Sequence, residues 1–146
     1  MGLDMYLRKS IYIAAQYEHR KVKANVKITV DGKPVKVDES KIYVIIESVG
    51  YWRKANAIHA WFVKNVQDGA DDCKEYSVSF EQLTELKDLC SKVLKNKNHA
   101  NLLPTKDGFS FGSIHIDENY MDDLEETVKI IEALDPEGEY IYESSW

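Results

Sequence analysis

The chain has 146 residues, of which 44% are hydrophobic and 30% charged, a balance that predicts one globular domain with a hydrophobic core and excludes wholesale disorder. No apolar run approaches the roughly 20 residues of a membrane span. The opening MGLDMYLRK also lacks a basic segment followed by an apolar stretch and a small-residue cleavage site, so the expected location is the cytoplasm, with no membrane partner. Met1-Gly2 opens like a myristoylation site, but Tyr6 stands where Ser or Thr is required.

The formal net charge of −6 is unevenly spread: residues 1–60 carry 11 Lys/Arg against 6 Asp/Glu, whereas residues 61–146 carry 8 against 19. From Ile114 onward Lys129 is the one basic residue against 11 acidic ones. Nucleic-acid affinity rests on neutralising phosphates, so this end is not built for a phosphate backbone. It either keeps the protein soluble or meets a basic partner, and its carboxylates could stand in for phosphates. Two cysteines without Cys-x-x-Cys spacing, Cys73 and Cys90, fit a reducing compartment, with Cys90 on a helical apolar face and Cys73 in a polar loop.

Taken in order, Leu3, Met5 and Leu7, then Ile11 and Ile13, alternate as one or two strands. Val22, Ala24, Val26, Ile28 and Val30 give the cleanest period-two run, with lysines, Asn25 and Thr29 between them, and predict a strand with one buried and one wet face. Asp31-Gly32 turns the chain and Val35 and Val37 begin the return, so residues 31–41 are expected to form a mobile hairpin tip. The continuous apolar run from Ile42 to Ile46 reads as a strand covered on both faces.

Gly50 ends that run, and Tyr51, Ala55, Ile58 and Phe62 then recur at helical spacing, predicting a helix from Trp52 to about Gln67. Trp52, Asn56, His59 and Val63 form a second stripe at its border. Asp68-Gly69 stops the helix, and Asp71-Asp72-Cys73 follows in a loop. Tyr76 and Val78 suggest a short extended piece. Ser79 with Gln82 makes a capping box for a second helix over 80–95, with Phe80, Leu83, Leu86, Cys90 and Val93 inward. Asn96 to Ala100 is a polar break. Asp107-Gly108 is a turn, Phe109 and Phe111 share a strand face, and Gly112-Ser113 permits close backbone approach. Asp117 or Asn119 caps a third helix with Met121, Leu124, Val128, Ile131 and Leu134 inward and Asp122, Asp123, Glu125 and Glu126 in its first turns. Asp135-Pro136-Glu137-Gly138 ends it, and Tyr140 to Tyr142 form a last edge strand. The pattern predicts an α+β fold, an antiparallel, mostly N-terminal sheet packed against about three helices, in a single domain over residues 1–146.

The segments GLDMYL, YWRKANAIHAWFVKNVQDGADDC and LLPTKDGFSFGS resemble a family of short bacterial and bacteriophage proteins with no established biochemical function, over nearly the full length. The resemblance implies a phage or prophage accessory role and directs attention to Trp52, Arg53, Asn56, His59, Asp71, Asp72 and Cys73. The insert between Tyr17 and Lys41 is longer than in that family. The kinase labels sometimes attached to such chains find no support, since neither G-x-x-x-x-G-K-[ST] nor G-x-G-x-x-G occurs.

Three functions follow. The first is a binding protein that captures a host protein, with inhibition of a host defence system as a variant, or a small ligand; it uses the 52–73 residues with Gly112 and Ser113, and an acidic surface of Asp122, Asp123, Glu125 and Glu126. The second is a small hydrolase or transferase in which His59 moves a proton, Asp71 or Asp72 fixes its tautomer, and Arg53, Asn56 or the backbone at Gly112-Ser113 meets developing negative charge. Equally, Asn56 and His59 serve only to tie down neighbouring backbone. The third is nucleic-acid binding through the Lys-rich N-terminal hairpin, against which stands the net charge. No cofactor is implied, and His19, His59, His99 and His115 are too widely separated for a standard metal signature.

Overall fold

Alternation carries the first strand. Leu3, Met5 and Leu7 point one way and are sealed from solvent, while Asp4, Tyr6 and Arg8 point the other way and are half-buried, so β1 (Asp4–Tyr12) is a single strand with one face on the core. The computed structural model describes residues 2–13 and 26–146. The chain divides into two compact units, residues 1–9 with 48–146, and residues 10–47.

The smaller unit holds a hairpin of β2 (Ile28–Val30) and β3 (Lys33–Val35), with Ile28 opposite Val35, Thr29 opposite Pro34 and Val30 opposite Lys33. Asp31 and Gly32 both have positive φ, 50° and 73°, as the tight two-residue turn of a twisted hairpin requires. A short 3-10 helix, Glu39–Lys41, follows, capped by the Asp38 side chain. The expected buried face is not found here: Ile28, Val30 and Val35 are 41%, 57% and 44% exposed, because the sheet has two strands only and no layer covers it among the described residues. Residues 22–25 of the predicted strand lie outside the described residues.

β4 (Val44–Arg53), β1, β6 (Glu139–Ser145) and β5 (Tyr76–Val78) form an antiparallel sheet in the order β4-β1-β6-β5. Two expectations change. Among the described residues the Ile42 to Ile46 run is not covered on both faces, Ile46 being 57% exposed, and β4 is the outermost strand of the sheet. The C-terminal strand, expected at an edge, runs between β1 and β5 and turns Tyr140 and Tyr142 fully into the core. β5 pairs with it antiparallel, Tyr76 opposite Tyr142 and Val78 opposite Tyr140.

Three helices supply the other layer: α1 (Asn56–Asn65), α2 (Phe80–Lys95) and α3 (Glu118–Glu132). α2 starts as its sequence dictates, the Ser79 side chain accepting from Gln82 N and the Gln82 side chain accepting from Ser79 N. Asp117 caps α3 through Tyr120 N. Leu83, Leu86, Cys90 and Val93 of α2 and Leu124 and Ile131 of α3 meet Ile58 and Phe62 of α1 in one core with Leu3, Met5, Leu7 and Tyr142. Phe109 and Phe111 are not on a strand: the segment is irregular, Phe109 is 79% exposed and Phe111 is buried. Among the described residues no helix is long and apolar enough to cross a membrane.

The helix predicted from Trp52 begins later. β4 continues through Trp52 to Arg53, and Lys54 N still donates to Leu3 O at 2.7 Å, so the ladder with β1 outlasts the apolar run. Aromatic Tyr51 and Trp52 favour strand, and no Ser, Thr or Asp is available to start a helix there. Tyr51, assigned to the buried stripe, is consequently 49% exposed and donates to Asp4. Trp52 is buried, and its indole Nε1 donates to Thr127 Oγ1 of α3 at 2.9 Å. Thr127→Val keeps the shape and removes that acceptor. A loss of about 1–3 kcal/mol is expected, read as a lower urea midpoint at unchanged slope.

Candidate functional site

The junction between β4 and α1 fixes the site. Lys54 takes φ 59°, a left-handed turn that costs a non-glycine residue about 1–2 kcal/mol. It is held by its bond to Leu3 and by Asn56 N donating to Lys54 O at 2.9 Å. Its side chain lies against Gly112, where an added Cβ would meet the Lys54 Cβ at 3.0 Å, so the close approach expected at Gly112 is found, with φ 92°.

α1 then runs through the middle of the larger unit. Asn56, Ala57, Ile58, His59, Trp61, Phe62 and Val63 are all buried, so the helix has almost no wet face and the border positions of Asn56 and His59 are core positions. Asn56 uses its whole amide: Nδ2 donates to Phe111 O at 3.1 Å and Ser113 O at 2.8 Å, and Oδ1 accepts from Lys106 N at 3.0 Å. It staples the 106–113 segment onto the start of α1.

His59 is fully sealed. Its Nδ1 lies 2.8 Å from the Tyr142 hydroxyl and its Nε2 3.0 Å from Asp71 Oδ1. Burial pulls its pKa below the usual 6.5 despite the attraction of Asp71. The ring is therefore neutral, Nε2–H donating to the carboxylate and Nδ1 accepting the Tyr142 proton. Asp71 also accepts from Trp146 Nε1 at 3.0 Å on Oδ1 and from Lys106 Nζ at 2.8 Å on Oδ2. Burial alone would raise its pKa, but the bonds from Lys106, His59 and Trp146 outweigh that and hold it below the usual 3.8. Tyr142 is buried against stacked Phe62, centroids 3.8 Å apart, and its pKa is pushed well up by burial first and by Asp71 second.

The chain Tyr142–His59–Asp71–Lys106/Trp146 has the hydroxyl–imidazole–carboxylate order of a nucleophilic relay, yet the hydroxyl at its inner end belongs to a fully buried side chain. No substrate can reach it in this geometry. The arrangement ties the sheet, α1, the loop after α1, the 106–113 segment and the C-terminal residue to one another.

The 52–73 residues thus part company. Asp71 joins His59, but the neighbouring Asp72 turns away to Tyr76 Oη, at 3.0 Å, and to Lys74 Nζ, at 3.0 Å. Cys73 sits half-buried in the loop with φ 55°, and Cys90 is buried with its thiol pKa pushed up to about 12 by desolvation. Trp52 is core. Lys106, Tyr142 and Trp146 are members that sequence reading missed. Lys106 gives no periodic signal, while the alternation of Tyr140 and Tyr142 would have placed both on one strand face.

Two clefts open beside this network. The first, about 300 Å³, is lined by Arg53, Lys54, Asn56, Gly112, Ser113 and His115 together with Asp117, Asn119, Asp122 and Asp123 of α3 and its cap. Asp123 is half-buried, and burial, with Asp122 and Asp117 beside it, raises its carboxyl to about 7. Asp122, Glu125 and Glu126 are exposed, so the predicted acidic surface loses Asp123 to the cleft. The second cleft, about 230 Å³, is mostly apolar, lined by Trp61, Leu89, Leu102, Leu103 and Pro104 with Lys64 and Asn65 beside them. Among the described residues no group of three or more His, Cys, Asp or Glu is placed to hold a metal ion.

Comparison with protein-family models, with curated proteins and with solved structures returns no match to this chain.

Proposed function

We propose that the protein is a cytoplasmic accessory protein of phage or prophage type that works by binding, and that its target is a host protein. One observation carries this reading over catalysis: the imidazole that a hydrolase would need is fully sealed, with both ring nitrogens spent on Tyr142 and Asp71, whereas the accessible features among the described residues include two clefts beside it and an acidic helix face. A general base must reach the proton it removes, and His59 can reach only its own fold. Exposed Asp122, Glu125 and Glu126 along α3 add a strongly negative surface suited to a basic partner.

The test is affinity capture from a bacterial lysate at low salt with the full chain as bait, beside a variant carrying Asp122→Lys, Glu125→Lys and Glu126→Lys. One discrete partner held by the native chain and lost from the variant is expected, with association slowing as salt rises. A native chain that retains nothing, while the purified protein turns over an ester or phosphoester substrate, would reverse the assignment.

A further inference from the structure

The two clefts beside α1 are neighbours. Ala57 lines both, and the apolar cleft ends at Pro104 where the polar cleft begins at Thr105. As neighbours they offer one occupant an apolar half and a charged half, together called the groove below. The apolar half is lined by Trp61, which is only 7% exposed and packed edge-on against Phe62, centroids 5.3 Å apart. An apolar hollow of this size beside exposed polar groups is a place where water is cheaply displaced by a hydrophobic side chain.

The charged half carries side chains of both signs. Arg53 and Lys54 come from the β4–α1 junction, Asp122 and Asp123 from α3, where an incoming cation would favour the ionised form of the Asp123 carboxyl that burial raises to about 7, and no ion pair joins the two sets among the described residues. Lys54 cannot simply swing across, because its stem is packed on Gly112 and near Gly2. Asp117 is already spent on the cap of α3, and among the described residues neither Asp122 nor Asp123 has a hydrogen-bonding partner for its carboxylate. Charges that line one cleft without neutralising each other are open to charges brought from outside.

We infer that this groove takes an extended segment of the partner protein in which an apolar residue, seated against Trp61 and Leu89, is followed closely by a lysine or arginine that reaches Asp122 and Asp123. An extended chain advances about 3.3 Å per residue, so adjoining clefts are served by residues close in sequence. Arg53 and Lys54 face the other side of the segment, where its carbonyl oxygens or an acidic residue lie. The inference rests on the binding reading above and adds the site and the recognised chemistry.

Panning a random heptapeptide display library against the immobilised full chain tests it, with two variants in parallel: Asp122→Asn with Asp123→Asn, which empties the acidic wall, and half-buried Ala60→Arg, which fills the apolar cleft. Circular dichroism and the urea midpoint confirm that both fold. Enriched peptides should carry an apolar residue followed within a few positions by Lys or Arg, and both variants should weaken synthetic copies of them about tenfold or more. No enrichment, enrichment without that pattern, or equal binding to the variants overturns the groove. So does binding that free amino acids match in affinity, which would make the site one for small zwitterions. If lysate capture still yields a discrete partner that both groove variants retain, the binding function stands and the groove alone is wrong. If capture yields nothing, the function itself fails.

Discussion

His59→Ala is expected to be among the most destabilising single substitutions in the chain, at about 3–5 kcal/mol. Removing a fully buried imidazole leaves a cavity between α1 and the sheet, strips the Tyr142 hydroxyl of its acceptor and leaves Asp71, among the described residues, with Lys106 and Trp146. The loss also has a pH signature. The folded pKa of His59 lies below the unfolded value of 6.5, burial being the largest cause, so the unfolded chain binds the proton more readily. Its contribution is complete above about pH 6.5 and falls away as the pH drops below that, by at most about 1.4 kcal/mol per unit. Asp71, depressed below 3.8 by Lys106, His59 and Trp146 against the opposing effect of burial, adds a second loss as the pH falls through its folded value. Urea midpoints of the native chain should drop between pH 7.5 and 5.5, and His59→Gln should flatten that drop while lowering the midpoint throughout. A native midpoint unchanged over this window would show that the ring is not held neutral.

The same residue marks how far sequence reading reaches. The α+β class, the capping box at Ser79, the Asp117 cap and the inward face of α2 follow from local rules, as do Leu124 and Ile131 of α3, whereas Met121, Val128 and Leu134 are only partly buried and Tyr120 and Thr127 lie inside, because amphipathic spacing reports a helix face more closely than its exact rotation. α1 has almost no wet face, with only Lys64 and Asn65 at its end exposed, so spacing alone could not separate Asn56 and His59 from true border residues. The contact of Asp71 with His59 was legible as a short loop returning to its own helix, but which of two adjacent aspartates returns depends on the left-handed turns at Asp68 and Cys73. The position of β6 depends on strand order, a long-range property, and with it come Tyr142 and Trp146, the inner and outer partners of the network. Alternation in the 22–30 stretch promised a covered face, but alternation states which residues share a face and not whether anything lies on it.

Asn56 should separate the staple from the rim of the groove. Asn56→Ala removes three hydrogen bonds at once and leaves the carbonyls of Phe111 and Ser113 and the amide of Lys106 without their partner in a partly buried setting, for an expected cost of about 3 kcal/mol. Asn56→Asp should be worse despite its closer shape, because a carboxylate oxygen then faces two carbonyl oxygens where the amide nitrogen donated. Arg53→Ala, at an exposed position on the same cleft, should move stability by no more than about 0.5 kcal/mol. Amide hydrogen exchange distinguishes the roles further. With Asn56 gone, the Lys106 amide and the segment through Ser113 should exchange faster than the α2 core, and the Lys106 contact with Asp71 should loosen with them. If exchange rises evenly over the whole larger unit, Asn56 is an ordinary core residue. If it rises only from Lys106 to Ser113, the wall of the charged cleft is a separately hinged element that Asn56 holds shut.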